Sequence, residues 1–195
     1  MKIARSSLAV LACICLLSGC QSPPAQSRIP ATDSQVTRNN CYSLLHQLLD
    51  DEKNVSILRF IKRENTDLKS LIKSVSAAAK AGAEQLEVFA KQDPTLILDD
   101  YRLPPGEQKT RDAIGATKEK ELLHQSGARF ELTLLLTQIE ALNYGVHLAK
   151  VAALNDTQPD RIRYLAGLSE QMKNLEDQVT ARLALKTQLS KPPVP

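Results

Sequence analysis

The residues whose types and spacing could do chemistry lie on stretches that read as helices. Glu121 and His124 stand three apart, the spacing that places a carboxylate and an imidazole on one helix face, as in di-iron bundles. Such a centre needs a second Glu-x-x-His pair and carboxylates from two further helices. The remaining histidines, His46 and His147, have no Glu three residues earlier, so the sequence does not complete a metal site. Glu140, Tyr144 and His147 follow at steps of four and three and share a face, where they could hydrogen-bond. A hydrolase would further need a positioned nucleophile and an oxyanion hole. The chain has no Gly-x-Ser-x-Gly, no phosphate-cradling glycine loop and no Cys-x-x-Cys, and its 7 glycines are few for sharp catalytic turns. Solvated helix faces are the better reading of these groups. The expectation is a protein that is not an enzyme and carries neither cofactor nor metal.

What the cysteines can do depends on the amino terminus. Lys2 and Arg5 form a basic head, and Leu8–Leu17 is an apolar run too short to span a hydrocarbon core of about 30 Å as a helix, which reads as an export signal. It ends in Leu17-Ser18-Gly19-Cys20. This stretch resembles the lipobox of bacterial membrane lipoproteins, in which small residues precede the cysteine that is lipidated and becomes the new first residue. The resemblance covers the export segment alone; no family is recognised for the helical part. It implies residues 1–19 as a signal peptide, and a diacylglycerol thioether on Cys20 with an acyl chain on its amine, enough chains for stable anchoring. Gln21 follows, and because it is not Asp the resemblance implies the outer membrane of a two-membrane host, with the protein facing the periplasm from the inner leaflet.

Loss of the signal takes Lys2 and Arg5 away, so the basic count falls from 25 to 23 against 22 acids, a net charge of +1. No concentrated positive field for nucleic acid remains. With Cys13 and Cys15 removed and Cys20 lipidated, Cys41 is the one thiol left, and an intramolecular disulfide is impossible. Two readings of Cys41 stand: a small buried hydrophobe, or a free thiol that pairs between chains or reacts, favoured by a helix amino terminus after Asn39-Asn40.

The elements that must position these groups are helices. Residues 20–40 form the lipidated cysteine and a tether, with Pro23, Pro24 and Pro30 among Ser, Gln and Thr through Thr37. Residues 41–190 form one helical domain, and 191–195 a proline-rich disordered tail. Leu44, Leu45, Leu48 and Leu49 give a first apolar face. A seam through Leu58, Ile61, Asn65, Leu68, Ile72, Val75, Ala79, Gly82, Leu86 and Phe89 predicts a helix from about Val55 to Lys91, with a candidate break at Asp50–Asn54. Whether 41–91 is one helix or two stays open. Asp93-Pro94 ends it, and Thr95–Arg102 should fold back as a cap over the bundle end.

From about Glu107 to Asn155 no proline intervenes, and Ala128, Leu132, Leu135, Ile139, Leu142, Val146, Ala149 and Ala153 alternate at threes and fours. Roughly 49 residues of helix would extend on the order of 73 Å. A second stripe, Phe130, Leu134, Ala141, Tyr144, Leu148 and Val151, lies roughly 160° around. Two such stripes predict a sandwiched central helix, with the last helix on one side and the Val55–Lys91 helix on the other, unless one stripe serves self-association. Asp156 or Thr157 caps the last helix, Pro159 to Leu189, whose seam is Leu165, Leu168, Met172, Leu175, Val179 and Arg182. The expected fold is an all-α, elongated antiparallel bundle, coiled-coil-like, of three or four helices around one long central helix.

The expected function is a membrane-anchored periplasmic interaction or adaptor module, with a protein partner in the cell envelope and homo-oligomerisation as a further option. The alternative is a subunit of a transport or envelope-spanning complex; a metal-dependent enzyme ranks below both.

Overall fold

A computed structural model describes residues 32–55 and 66–189 of the chain. Cys20 and its lipobox, the signal peptide, most of the tether, the seam residues Leu58, Ile61 and Asn65, and the tail lie outside the described residues. Among those described there are five helices and no strand: α1 (Asp33–Glu52), α2 (Thr66–Gln92), α3 (Pro105–His124), α4 (Gly127–Leu154) and α5 (Pro159–Leu189).

α1 starts eight residues before the expected Cys41, inside the stretch read as tether. Thr32 accepts a hydrogen bond from the Gln35 N–H (3.2 Å) while its own N–H donates to Gln35 Oε1 (3.0 Å), a capping box that satisfies two otherwise orphaned groups. The helix ends at Glu52 and turns through Lys53-Asn54, inside the candidate break. In α2 the seam from Leu68 to Phe89 is buried at every predicted position. The expected helix start at Val55 is instead a tight 3₁₀ turn residue.

The long central helix is corrected: it is two helices. The break falls at Gln125-Ser126, both extended, followed by Gly127 at φ +58°, a left-handed conformation that glycine adopts without Cβ strain. The chain reverses there, so α3 runs back along α4, with Arg111 reaching Tyr144.

Four helices close a ring in which α1 packs on α2, α2 on α5, α5 on α4 and α4 on α1. Cross-bundle contacts fix every neighbouring pair as antiparallel. Ser34 meets Asn155 while Glu52 meets Gln138, and Ser169 meets Val146 while Arg182 meets Glu131. His46 meets Glu87 while Ser76 meets Lys53, and Phe89 meets Tyr164 while Gly82 faces Leu168. Tyr42, Leu45, Leu86, Leu135, Ala149, Leu165 and Val179 are wholly enclosed, and each of the larger apolar side chains contributes about 1.5–3 kcal/mol by burial.

One stripe of α4 therefore packs on α5, as expected, but the other takes α1 rather than α2. The polar line between the stripes explains the correction. Gln138 lies on it and is buried, with Glu131 half-buried on the same side, whereas Arg129, Glu140 and His147 on the opposite side are exposed. The stripes bracket the bundle axis at a corner of the ring; they do not sit on opposite sides of a layer. At the stripe ends, Leu132 and Val151 are exposed.

Gly145 lets α4 and α5 approach. A Cβ there would lie 2.0 Å from Met172 Cε and 3.1 Å from Leu48 Cδ2. Residues 93–104 cross the end of the bundle as the predicted cap, with Leu96 buried and Leu98, Tyr101 and Leu103 packed behind it. α1 straps this segment down: Ser43 Oγ donates to the Ile97 carbonyl (3.0 Å) and accepts from the Asp100 N–H (2.9 Å), and Asn39 donates to the Thr95 carbonyl (2.9 Å).

Candidate functional site

The residues singled out for chemistry do not converge. Glu121 and His124 sit on α3, where the His124 ring is hydrogen-bonded at Nδ1 to the Lys120 carbonyl (2.8 Å) and Glu121 lies 3.9 Å from Lys118. Among the described residues no three His, Cys, Asp or Glu side chains cluster as a metal site would require. Glu140 and His147 are exposed on α4, and the Tyr144 hydroxyl between them accepts from Arg111 Nη1 (2.8 Å).

Cys41 lies in the middle of α1, so the expected helix amino terminus beside it is corrected. The helix begins at Asp33, and no dipole end is near to favour a thiolate. Its residue is 7% exposed, and burial pushes the thiol pKa up, as fits a small buried hydrophobe.

The most highly built polar cluster closes the capped end of the ring. Asp156, in the α4–α5 turn, has a fully buried side chain and accepts five hydrogen bonds. Oδ1 takes the N–H groups of Thr157 (2.7 Å) and Gln158 (2.9 Å), which orders the turn leading into α5, together with Arg161 Nη2 (2.7 Å). Oδ2 takes Arg161 Nε (2.8 Å) and the Tyr42 hydroxyl (2.7 Å) from α1. Arg161 spends its remaining terminus on Asp93 (2.7 Å) beyond the end of α2.

Burial works to raise the Asp156 pKa, but Arg161, the Gln158 N–H and the Tyr42 hydroxyl outweigh it and hold the carboxyl below its ordinary range. Asp93 is likewise drawn down to about 2, its burial overcome by Thr95 and Arg161. Burial and the Asp156 carboxylate push the Tyr42 phenol well above its ordinary value. A carboxylate with every lone-pair direction occupied is a poor base, and a phenol held so tightly is a poor acid. The cluster is a brace that ties α1, the α2 end, the turn and α5 together. The expected cap of α5 is Asp156 or Thr157, but Asp156 holds the N–H groups of Thr157 and Gln158, which precede Pro159, and so orders the turn into the helix rather than its first turn; the sequence carries no periodic signal linking Tyr42, Asp93 and Arg161, which meet only through the ring.

A second polar pair lies toward the other end, with Gln138 buried and Glu52 half-buried. Glu52 Oε2 accepts from Gln138 Nε2 (2.8 Å), and Gln138 is 2% exposed. Burial pushes the Glu52 carboxyl up to about 7, the Gln138 hydrogen bond opposes this and the nearby Asp51 charge adds to it. Beside the carboxyl is a void of about 10 Å³, otherwise lined by apolar side chains including Leu49, Val75, Leu142 and Met172. That volume suits at most one water. No substrate fits there.

α3 stands apart from both. None of its residues is buried; Arg111 and Leu122 rest on α4, while Ile114 is 55% and Leu123 43% exposed. Arg111 also stacks over the Tyr144 ring at 5.2 Å and pairs with Glu107 at 2.7 Å. The grooves on the bundle surface are open and shallow, one between Ser74 on α2 and Glu170 and Asn174 on α5, another along Ala113, Ile114 and Thr117 of α3. Among the described residues no helix is long and apolar enough to cross a membrane. Compared with protein-family models, curated proteins and solved structures, the chain matches none.

Proposed function

We propose that this protein is a lipid-anchored adaptor of the cell envelope: a helical bundle tethered through Cys20 that engages a protein partner without chemistry of its own. α3 carries the reading. A helix of 20 residues with no buried side chain adds almost nothing to the core, yet it is held along α4 by Arg111 and Tyr144 and presents Ile114 and Leu123 outward. Displayed helices with a few apolar anchors dock into partner grooves or accept partner helices. The lipobox resemblance of Leu17-Ser18-Gly19-Cys20 supplies the address, with the periplasmic face of the outer membrane as the proposed location.

Each half has its own test. Cys20→Ala should move the protein from the membrane fraction to the soluble one, and retention as an integral membrane protein would refute the anchor. Ile114→Asp should leave the helix content and melting unchanged while abolishing co-purification of the partner captured by the unaltered protein after cross-linking in cells. Unchanged capture would refute α3 as the docking element.

A further inference from the structure

We infer that Glu52 and Gln138 form a proton-operated latch: the neutral carboxyl holds the last turn of α1 against α4, and its ionisation frees that turn. The argument rests on an unmatched atom. Gln138 Nε2 donates to Glu52 Oε2 at 2.8 Å, but Gln138 Oε1, on the same amide, is buried with no hydrogen-bond partner among the described residues. An ionised carboxyl offers only acceptors, so the amide oxygen stays orphaned beside it. A protonated carboxyl supplies the missing O–H donor. Acid and amide then close two reciprocal hydrogen bonds, carboxyl O–H to Oε1 and Nε2–H to the carboxyl oxygen. The pair is complete in the neutral state and one bond short in the charged one.

The surroundings favour the same state. α2 presents Val75, Ala78 and Ala79 to the carboxyl's void, α4 presents Ala141 and Leu142, and α5 presents Met172 and Leu175, none of which titrates. On α1, Asp51 acts on Glu52 with a like charge, while Lys53 is committed to Asp50. Glu176 on α5 lies by Asn143 and Lys173, and Glu131 on α4 holds Arg182 and Lys186. Lys73 and Lys80 on α2 point to solvent. No cation among the described residues pairs with Glu52. A half-buried carboxylate without a counter-charge is relieved most cheaply by further hydration. Glu52 is the last residue of its helix, so the final turn can move while Leu45 and the turns before it stay packed. The Ser76 bond to the Lys53 carbonyl would go with it. The latch does not depend on the adaptor reading.

The test is made on the full chain in detergent. The ¹³C shift of the Glu52 carboxyl is followed by NMR from pH 5 to 9, together with hydrogen exchange of the Leu48–Glu52 amides corrected for its intrinsic pH dependence. The expected result is titration near neutrality, with opening of the last turn rising at least tenfold as the carboxyl ionises. Glu52→Gln, whose amide replaces the O–H donor with N–H, should stay closed at every pH. An ordinary exposed-glutamate titration, pH-independent opening in the unaltered protein, or the same pH dependence in Glu52→Gln would each overturn the latch. So would failure of Glu52→Gln to fold, since it carries the neutral pair's hydrogen bonds.

Discussion

Replacing Arg161 by Met tests whether the brace at the capped end holds the ring closed. Met keeps most of the side chain's apolar stem and removes the guanidinium, and with it the bonds to Asp156 at 2.8 and 2.7 Å and to Asp93 at 2.7 Å. Asp93 is partly exposed and can turn to water; Asp156 cannot, because its side chain is fully enclosed. Breaking a buried pair by removing one partner costs about 3–5 kcal/mol, most of it the charge left behind. Against a total stability of about 5–15 kcal/mol this is a large fraction. With a urea dependence of about 2 kcal/mol/M, the midpoint of unfolding, read by circular dichroism at 222 nm and pH 7, should fall by about 2 M. The stranded charge can then be removed. Asp156→Asn in the Arg161→Met background keeps an oxygen to accept from the Thr157 and Gln158 N–H groups, and the double variant should regain at least about 1.4 kcal/mol, a tenfold gain in folding equilibrium. A loss below about 1 kcal/mol for Arg161→Met, or no recovery in the double variant, would refute the account of Asp156 as a buried charge that Arg161 neutralises.

Stability should fall on both sides of a mildly acidic optimum. Glu52 has a folded value near 7, above its unfolded one of 4.5, so its contribution is complete below the unfolded value and lost as pH rises through the folded one, about 3 kcal/mol in all. Asp93, Asp156 and Glu131 are depressed, so their contribution is present above the ordinary carboxylate range and disappears as pH falls toward 2; denaturation midpoints across pH 2–9 trace both limbs, and a monotonic rise to pH 9 contradicts the Glu52 assignment. Gly145→Ala should destabilise by about 1–3 kcal/mol through overpacking, because the added Cβ meets Met172 and Leu48; a melting temperature equal to the parent's would show that Met172 moves aside freely. α3 amides should exchange at least a hundredfold faster than those of α4 facing the core, since α3 lacks buried side chains. Tyr144→Phe should accelerate α3 exchange further by removing the acceptor of Arg111, while leaving α4 protected; equal protection of α3 and α4 would mean that α3 belongs to the cooperative core.

Leu134→Ala discriminates between core and interface for the second stripe of α4. Leu134 is buried within the ring, so a loss of about 2–5 kcal/mol is expected without a change in oligomeric state, measured by chemical denaturation and sedimentation. A change in oligomeric state with unchanged stability would place that stripe on a surface.

The helices and their inward faces were legible because burial on a helix leaves a period in the sequence. Leu68 through Phe89 and Leu165 through Val179 read as seams and are buried as seams. Two local features were written in the sequence and passed over. Thr32-x-x-Gln35 is a capping box that moves the first helix back to Asp33. Gly127, just after Gln125-Ser126, is the conformational exception that divides the long apolar pattern into α3 and α4. A seam reports which side of a helix is apolar and says nothing about a reversal that keeps both halves amphipathic.

By itself the sequence determined the helical class, the apolar faces, the cap across the bundle end and the stop at Asp93-Pro94, because each depends on neighbours within a few residues. The tertiary structure decided which helix fills which corner. α4 meets α1 rather than α2, because α1, starting at Asp33, runs far enough to reach α4 at both Asn155 and Gln138 and so closes the ring. It also decided the polar interior. Tyr42, Asp93, Asp156 and Arg161 are separated by up to 119 positions, and Glu52 and Gln138 by 86, so no local pattern joins them. Their charges and hydrogen bonds are set by desolvation and distance, and both exist only once the helices have packed.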